Sequence, residues 1–128
     1  MSGILFLCIH NAGRSQMAAG FARELSQGRV NIFSGGSEPA DQVNPVAVDA
    51  MREVGIDISQ YQPQRFTDDL LHEVDVVVTM GCGDTCPYIP GKKYLDWPLD
   101  DPKGKPLDEI RRIRDDIKSR VEDLLAQL

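Results

Sequence analysis

The continuous apolar run at residues 4–9, Ile-Leu-Phe-Leu-Cys-Ile, constrains the fold more than any other part of the sequence. A short run without alternating polar residues is typical of a strand that is buried on both faces. Strands of this kind occur mainly in parallel sheets that helices cover on both sides. The run therefore predicts an α/β fold in which the first strand lies inside the sheet.

Helical patterns follow this strand. Large apolar residues spaced four apart predict a helix over residues 15–26, with Ser15 as its N-cap. A second helical pattern covers residues 45–54, begins with Pro45 and is closed by Gly55. Helices therefore follow the first strand and a later loop, as expected for alternating strands and helices.

The second half of the chain continues this alternation. A short helix is predicted at residues 68–72, and apolar residues at helical spacing between Ile110 and Leu125 predict a final amphipathic helix of about 20 residues. The three remaining strands are predicted at residues 30–33, 74–80 and 93–96. The density of β-branched residues favours a central position for the second of these strands, whereas the third resembles an edge strand.

These elements favour a small doubly wound α/β sandwich with a central four-stranded parallel sheet flanked by helices. A chain of 128 residues is expected to form one domain, residues 1–128. Its net charge of −6 provides no basic field for nucleic acid or anionic lipid. No apolar run reaches the roughly 20 residues that a bilayer requires, and no signal segment opens the chain. We therefore predict a cytoplasmic protein without nucleic-acid or membrane partners, in which any anionic ligand is held locally.

The most informative segment is residues 8–15, Cys-Ile-His-Asn-Ala-Gly-Arg-Ser, where Cys8 and Arg14 bracket a loop between the first strand and the first helix. Backbone N–H groups of such a loop can point inward as a nest for an oxyanion, and the helix N-terminus adds about half a positive charge. The Arg14 guanidinium can bind two oxygens of the same anion. The loop residues predicted to bind the oxyanion are Ile9, His10, Asn11, Ala12, Gly13 and Arg14.

The same surroundings favour a thiolate at Cys8, which makes this residue the predicted nucleophile. Ser15 can donate its hydroxyl to that thiolate, and Asn11 can hold the loop through side-chain hydrogen bonds to the backbone. A lone cysteine at a strand end is most simply a small buried apolar residue. The register of strand, Cys-x5-Arg-Ser loop and helix favours the functional interpretation instead.

Three sequence features resemble the low-molecular-weight protein tyrosine phosphatase family, and in particular its arsenate reductase branch. They are Cys-x5-Arg-Ser near the amino terminus, the Ser-Gln-Met-Ala that continues it, and Asp-Asp-Pro at residues 100–102. Further stretches typical of that branch cover most of the chain: residues 11–18, 36–40, 43–45, 55–59 and 77–102. The resemblance implies a phosphatase-like fold, arsenate as a small oxyanion substrate, and Asp101 as the general acid.

The resemblance also implies roles for the two remaining cysteines, Cys82 and Cys86. Cys8 attacks arsenate, Cys82 then attacks the Cys8 sulfur and expels arsenite, and Cys86 carries the disulfide outward to an external reductant. That reductant is thioredoxin, or mycothiol together with mycoredoxin. No bound cofactor and no metal ion are expected. Ala19 stands where relatives often carry a glutamate that helps to hold potassium, and His10 stands where they often carry glycine.

Several alternatives stay open at this point. The spacing between Cys82 and Cys86 is shorter than in thioredoxin-coupled relatives, so Cys8 alone could transfer arsenate to mycothiol. The same loop would also serve a phosphatase that hydrolyses phosphotyrosine-like esters. A thiol-based redox sensor or oxyanion-binding module is a non-enzymatic alternative. Half of a zinc site at the Cys82–Cys86 pair is disfavoured because neither histidine has ligand spacing to it.

Overall fold

The computed structural model describes residues 3–80, 91–99 and 104–128. Eight elements alternate along these residues. The strands are β1 (Gly3–Leu7), β2 (Asn31–Gly35), β3 (Val76–Thr79) and β4 (Lys93–Asp96). The helices are α1 (Arg14–Ser26), α2 (Pro45–Arg52), α3 (Asp68–Glu73) and α4 (Leu107–Ala126). Across the described ranges, no helix combines the length and the apolar character that crossing a membrane requires.

The four strands form one parallel sheet in the order β2-β1-β3-β4. The predicted four-stranded parallel sheet is confirmed, as are the central position of β3 and the edge position of β4. Leu7 pairs with Gly35 on one side and with Thr79 on the other, and Thr79 pairs with Asp96. The carboxyl ends of all four strands therefore meet at one edge, where such folds bind ligands.

Side chains of β1 alternate between two apolar layers. Ile4 and Phe6 point into the larger core, which is shared with α1, α2 and α4. Leu5 and Leu7 point to the opposite face, where Leu71 of α3 joins a smaller cluster. All five residues of β1 are buried, as a run without polar residues requires. The sheet is therefore covered on both faces, which confirms the doubly wound arrangement.

The boundaries of several elements differ from the prediction. β1 ends at Leu7 instead of residue 9, since the carbonyl of Ile9 leaves the sheet and accepts a hydrogen bond from the Glu38 N–H at 2.8 Å. The prediction that Ser15 caps α1 is wrong: the N-cap position is Gly13, and Ser15 lies inside the helix. Its hydroxyl contacts Cys8 instead of a backbone N–H of the first turn. Ser15 thus contacts a residue of the preceding strand end in place of the helix backbone.

The start of α2 agrees with the prediction, whereas its end comes earlier. The Asn44 side chain accepts a hydrogen bond from the Val46 N–H at 3.0 Å, and Pro45 occupies the first turn, where its missing N–H is not needed. The helix ends at Arg52 instead of residue 54, and Gly55 follows with φ +81, a left-handed conformation that glycine adopts without strain. β2 and β3 are likewise shifted by one or two residues at their ends.

An ion-pair network joins the end of α2 to α4. Glu53 accepts hydrogen bonds from Arg111 at 2.6 Å and from Arg114 at 2.8 Å, and Arg114 also donates to the Ala50 carbonyl at 2.9 Å. The hydrogen bonds from Arg111, and then those from Arg114, lower the pKa of Glu53 from 4.5 to about 2. The folded chain therefore favours the ionised form of Glu53.

Glu53→Gln is expected to lower the melting temperature because the amide loses the charge-assisted bonds to both arginines. The pKa of Glu53 is lower in the folded chain, so its contribution is complete above 4.5 and disappears as the pH falls toward about 2. The melting-temperature difference between wild type and variant should therefore be constant near neutral pH and should shrink as the pH falls from 4.5 toward about 2. Differential scanning calorimetry across a pH series measures it.

Glu24→Gln is the matched control. Glu24 is exposed on α1 and forms no ion pair within the described ranges. Its variant should melt like wild type at every pH. A melting-temperature difference for Glu53→Gln that stays constant down to the acid limit would contradict the assigned role of the carboxylate.

Candidate active site

The nucleophile candidate Cys8 lies directly after β1, at the edge where the four strands end. Its side chain is 4% exposed, and its Sγ lies 2.9 Å from the Ser15 Oγ on the first turn of α1. The strand fixes the position of Cys8 and the helix fixes that of Ser15. The sulfur and the hydroxyl are therefore held together by the two elements that bracket the loop.

The loop between Cys8 and Ser15 is held in place by hydrogen bonds that its backbone carbonyl groups accept from a neighbouring segment. Three carbonyls accept hydrogen bonds from backbone N–H groups of the segment that follows β2: Ile9 from Glu38 at 2.8 Å, His10 from Ala40 at 2.9 Å, and Ala12 from Asn44 at 2.8 Å. The described peptide bonds are all trans, so the N–H that follows each carbonyl points the opposite way. Those N–H groups have no backbone acceptor among the described residues. Inward N–H groups without a backbone partner are what the predicted anion-binding nest requires.

Asn11 organises the loop from within. Its φ of 50 is left-handed, a conformation that asparagine tolerates better than most residues, and it is completely buried. Its Oδ1 accepts a hydrogen bond from the Gln64 N–H at 2.9 Å, and its Nδ2 donates to the Ser15 Oγ at 2.7 Å. The Asn11 donor occupies one lone pair of the Ser15 oxygen, so the Ser15 hydroxyl hydrogen can donate to the Cys8 sulfur. A hydroxyl donor of this kind suits a cysteine nucleophile.

Arg14 lies at the start of α1, where its side chain is buried and lines the same cavity as Cys8. Its Nη1 donates to the carbonyl oxygens of Met80 at 2.6 Å and Leu99 at 3.0 Å. Met80 follows β3 and Leu99 follows β4. The guanidinium thus connects the nucleophile loop to the two points where the chain leaves the sheet edge.

A cavity of about 360 Å³ opens over this loop. Its walls are formed by the loop, by the segment after β2 and by one residue that precedes α4: Cys8, His10, Ala12, Gly13, Arg14, Ala40, Gln42, Asn44, Pro45 and Gly104. His10 is exposed, and its Nδ1 lies 3.0 Å from the Glu38 carbonyl, which can only accept a hydrogen bond. The cavity is wide enough for a tetrahedral oxyanion, and its positive groups are Arg14 and the helix N-terminus.

The predicted site residues are therefore brought together in part. Five residues of the predicted loop line one cavity, namely Cys8, His10, Ala12, Gly13 and Arg14, whereas Ile9, Asn11 and Ser15 are not among the residues that line it. The predicted general acid Asp101 and the predicted resolving thiols Cys82 and Cys86 lie outside the described residues. In the sequence, Cys82 and Asp101 each come two residues after a carbonyl that Arg14 binds.

Sequence reasoning missed two residues that shape the loop. Gln64 reaches Asn11 from the segment before α3, and no local signal indicates a contact between residues 53 positions apart. Gly36 enters the sequence analysis only as part of the 36–40 stretch that resembles the family, without a structural role of its own. A Cβ at Gly36 would lie 2.5 Å from the Ile9 oxygen and 2.7 Å from the Cys8 oxygen, so only glycine lets the backbone after β2 approach the loop.

The fold and the site define a small α/β protein with a cysteine nucleophile candidate in an anion-binding loop. The family described as low molecular weight phosphotyrosine protein phosphatase matches residues 3–128, and the chain belongs to that family. It is 44% identical over 123 residues to arsenate reductase 2 of Staphylococcus epidermidis, covering 93% of this chain and 92% of that protein.

Solved structures agree with this assignment. The chain is similar to the thioredoxin-dependent arsenate reductase of Corynebacterium glutamicum, with 39% identity and a TM-score of 0.88. The match covers 99% of this chain and 61% of that one. A structure described as an arsenate reductase in the oxidized state matches with 38% identity and a TM-score of 0.88, covering 99% of this chain and 98% of that one. The predicted family and phosphatase-like fold are thereby confirmed.

Gly36→Ala is expected to weaken oxyanion binding because the new methyl group must displace the Ile9 and Cys8 carbonyls and thereby tilt the loop N–H groups. Overpacking of this kind typically costs about 1–3 kcal/mol, and if the whole cost falls on the anion complex the affinity drops by roughly 5- to 160-fold. Isothermal titration with inorganic phosphate measures the effect. Gly3→Ala is the control, since its Cβ would lie 3.3 Å from the Val74 backbone, a tight contact that is also overpacked but is in β1 away from the cavity. Wild-type phosphate affinity in Gly36→Ala would disprove the role of the close approach.

Proposed function

We propose that the protein reduces arsenate to arsenite, using Cys8 as the nucleophile and an external thiol as the source of electrons. The observation that carries the proposal is the contact of 2.9 Å between the Cys8 sulfur and the Ser15 hydroxyl, at the wall of an anion-sized cavity that Arg14 also lines. The identity of 44% to an arsenate reductase supports arsenate as the substrate.

In the proposed first step, arsenate lies in the loop with its oxygens on the inward N–H groups and on Arg14. The Cys8 thiolate attacks arsenic, so that a sulfur–arsenic bond forms and an arsenic–oxygen bond breaks. Asp101 donates a proton to the departing oxygen, which leaves as water. Arsenic is still pentavalent in this covalent adduct. The role of Asp101 is taken from the resemblance.

In the proposed second step, the Cys82 thiolate attacks the Cys8 sulfur. A disulfide forms, the sulfur–arsenic bond breaks, and its electron pair stays on arsenic, which leaves as trivalent arsenite. Two thiols are oxidised and one arsenic is reduced, so the electrons balance. The bond from Arg14 to the Met80 carbonyl supports the assignment of Cys82, because the chain leaves the active-site edge there, two residues before this cysteine.

In the proposed third step, Cys86 attacks the Cys82 sulfur, which regenerates the Cys8 thiolate and moves the disulfide to the Cys82–Cys86 pair. A dithiol reductant of the thioredoxin class then reduces that pair. The similarity to a thioredoxin-dependent arsenate reductase favours this class over mycothiol with mycoredoxin. The cycle requires free thiols and therefore a reducing compartment such as the cytoplasm.

A phosphatase is the second candidate function, and the family to which the chain belongs supports it. Phosphate and arsenate share charge and tetrahedral shape, so the same loop can accept either. A phosphatase would form a cysteinyl-phosphate at Cys8 and release it to water. The Cys82 and Cys86 thiols would then have no part in the reaction.

Counting free thiols before and after arsenate, without any external reductant, tests the proposed relay. The reduced chain has three thiols, and we expect the count to fall to one with release of one arsenite per chain. The Cys8→Ser variant should keep its two thiols and release no arsenite. If wild type retains all three thiols, the internal relay is wrong.

Two further variants assign the order of attack. Cys86→Ser should lose both of its thiols and release one arsenite, because the Cys8–Cys82 disulfide still forms. Cys82→Ser should release none until a small thiol is added. If Cys82→Ser releases arsenite as wild type does, Cys82 is not the resolving thiol. Arsenite release that always requires mycothiol would instead identify a transferase, and hydrolysis of p-nitrophenyl phosphate with no thiol loss would identify a phosphatase.

A further inference from the structure

Gln16 is a buried amide that the proposed reaction does not use. It is the third residue of α1, and its side chain is 1% exposed. Its Nε2 donates to the backbone oxygen of Asn11 at 3.0 Å and to the Asn11 Oδ1 at 3.2 Å. Its own Oε1 is buried without a hydrogen-bond partner among the described residues. The Gln16 amide therefore donates hydrogen bonds to both oxygens of Asn11, the residue that organises the nucleophile loop.

Two backbone groups determine which atoms of this network donate hydrogen bonds and which accept them. The Gln64 backbone N–H can only donate, so the Asn11 atom facing it must be the oxygen Oδ1. The Asn11 backbone carbonyl can only accept, so the Gln16 atom facing it must be the nitrogen Nε2. The Asn11 Nδ2 then faces the Ser15 Oγ as a donor. Neither amide can flip without placing oxygen against oxygen or a donor against a donor.

The unpartnered Oε1 of Gln16 is energetically unfavourable, which raises the question of what its amide contributes. A buried carbonyl oxygen without a partner loses its hydrogen bonds to water and gains none in exchange. An unbranched apolar side chain of similar size would fill the same space without an unpartnered oxygen, but both Asn11 oxygens would then lose their amide donor. Space filling alone therefore does not explain Gln16. Its Nε2 hydrogen bonds to Asn11 are the feature that an apolar residue could not supply.

We propose that Gln16 is a positioning residue for the Cys8 thiolate. By bonding both Asn11 oxygens, it holds the Asn11 amide so that Nδ2 donates to Ser15, which leaves the Ser15 hydroxyl hydrogen for the Cys8 sulfur. The inference rests on the proposed role of Cys8 as the nucleophile. It adds a second layer of control to that site, acting through Asn11 and Ser15 without touching the substrate.

Gln16→Met tests the proposal with a side chain of similar length and no amide. We expect a melting temperature close to that of the wild type, because removal of the unpartnered Oε1 offsets the loss of the two Nε2 hydrogen bonds to Asn11. We also expect iodoacetamide to alkylate Cys8 with a half-maximal rate at higher pH, and about three- to tenfold more slowly at a fixed pH below the wild-type midpoint. Mass spectrometry of the peptide that contains Cys8 separates its alkylation from that of Cys82 and Cys86. Arg14 and His10, which line the same cavity, are unchanged in the variant.

Gln60→Met is the matched control, because Gln60 is exposed in a turn outside the cavity. It should show the wild-type alkylation profile. Gln16→Glu is a second test that does not depend on the folding of Gln16→Met: its carboxylate oxygens oppose both Asn11 oxygens, so its alkylation midpoint should also move to higher pH.

The outcomes are decisive because neither readout requires arsenate. A wild-type alkylation profile in Gln16→Met overturns the proposal, whatever its melting temperature. If Gln16→Met does not fold, a wild-type profile in Gln16→Glu overturns it equally. A shifted profile with an intact melting temperature supports it even if the wild-type protein proves to be a phosphatase. Where arsenate is reduced, kcat should fall while KM changes little, since Gln16 does not touch the anion.

Discussion

The architecture of the site depends on one residue, Asn11, whose side-chain amide forms hydrogen bonds inside the protein through both its oxygen and its nitrogen. Its side chain joins Gln64 on one side to Ser15 on the other, and its left-handed backbone turns the loop between β1 and α1. A completely buried amide is tolerated only when its hydrogen bonds are made. The need to satisfy Asn11 therefore holds the loop in the one shape that turns its N–H groups inward and places a hydroxyl beside Cys8.

The parallel sheet brings the hydrogen-bond partners of the loop together. Four parallel strands bring the residues after β1, β2, β3 and β4 to the same edge, so groups far apart in sequence meet around one loop. The segment after β2 holds the loop carbonyls from one side. Arg14 binds the Met80 and Leu99 carbonyls on the other. The guanidinium thus hydrogen-bonds to the backbone at the sheet edge and also lines the cavity, so the proposed binding of an anion there would be linked to the places where the chain leaves the sheet.

The sequence was sufficient for the sheet and for the loop, because both leave local signals. The apolar run at residues 4–9 and the valine-rich β3 predicted two central strands, and Cys8 and Arg14 bracket a loop between recognisable elements. Tertiary partners leave no such signal. Ser15 has the composition of an N-cap, yet its hydroxyl bonds to Cys8, and Gln64 contacts Asn11 across 53 positions. The roles of Asp101, Cys82 and Cys86 stay predictions, since they come from resemblance alone.

The chemistry of the loop also explains why oxyanion binding cannot by itself identify the reaction. With a net charge of −6, the chain has no long-range attraction for anions, so affinity in the proposed site would depend on short hydrogen bonds from N–H groups and Arg14. These groups recognise charge and tetrahedral shape, which phosphate and arsenate share. The difference must arise after the covalent adduct has formed at Cys8. Water attack at phosphorus returns the thiol unchanged, whereas thiol attack at sulfur leaves an electron pair on arsenic. The proposed reductase and a phosphatase of the same family therefore differ in what attacks the adduct next: a second thiol at the Cys8 sulfur in the reductase, and water at phosphorus in the phosphatase.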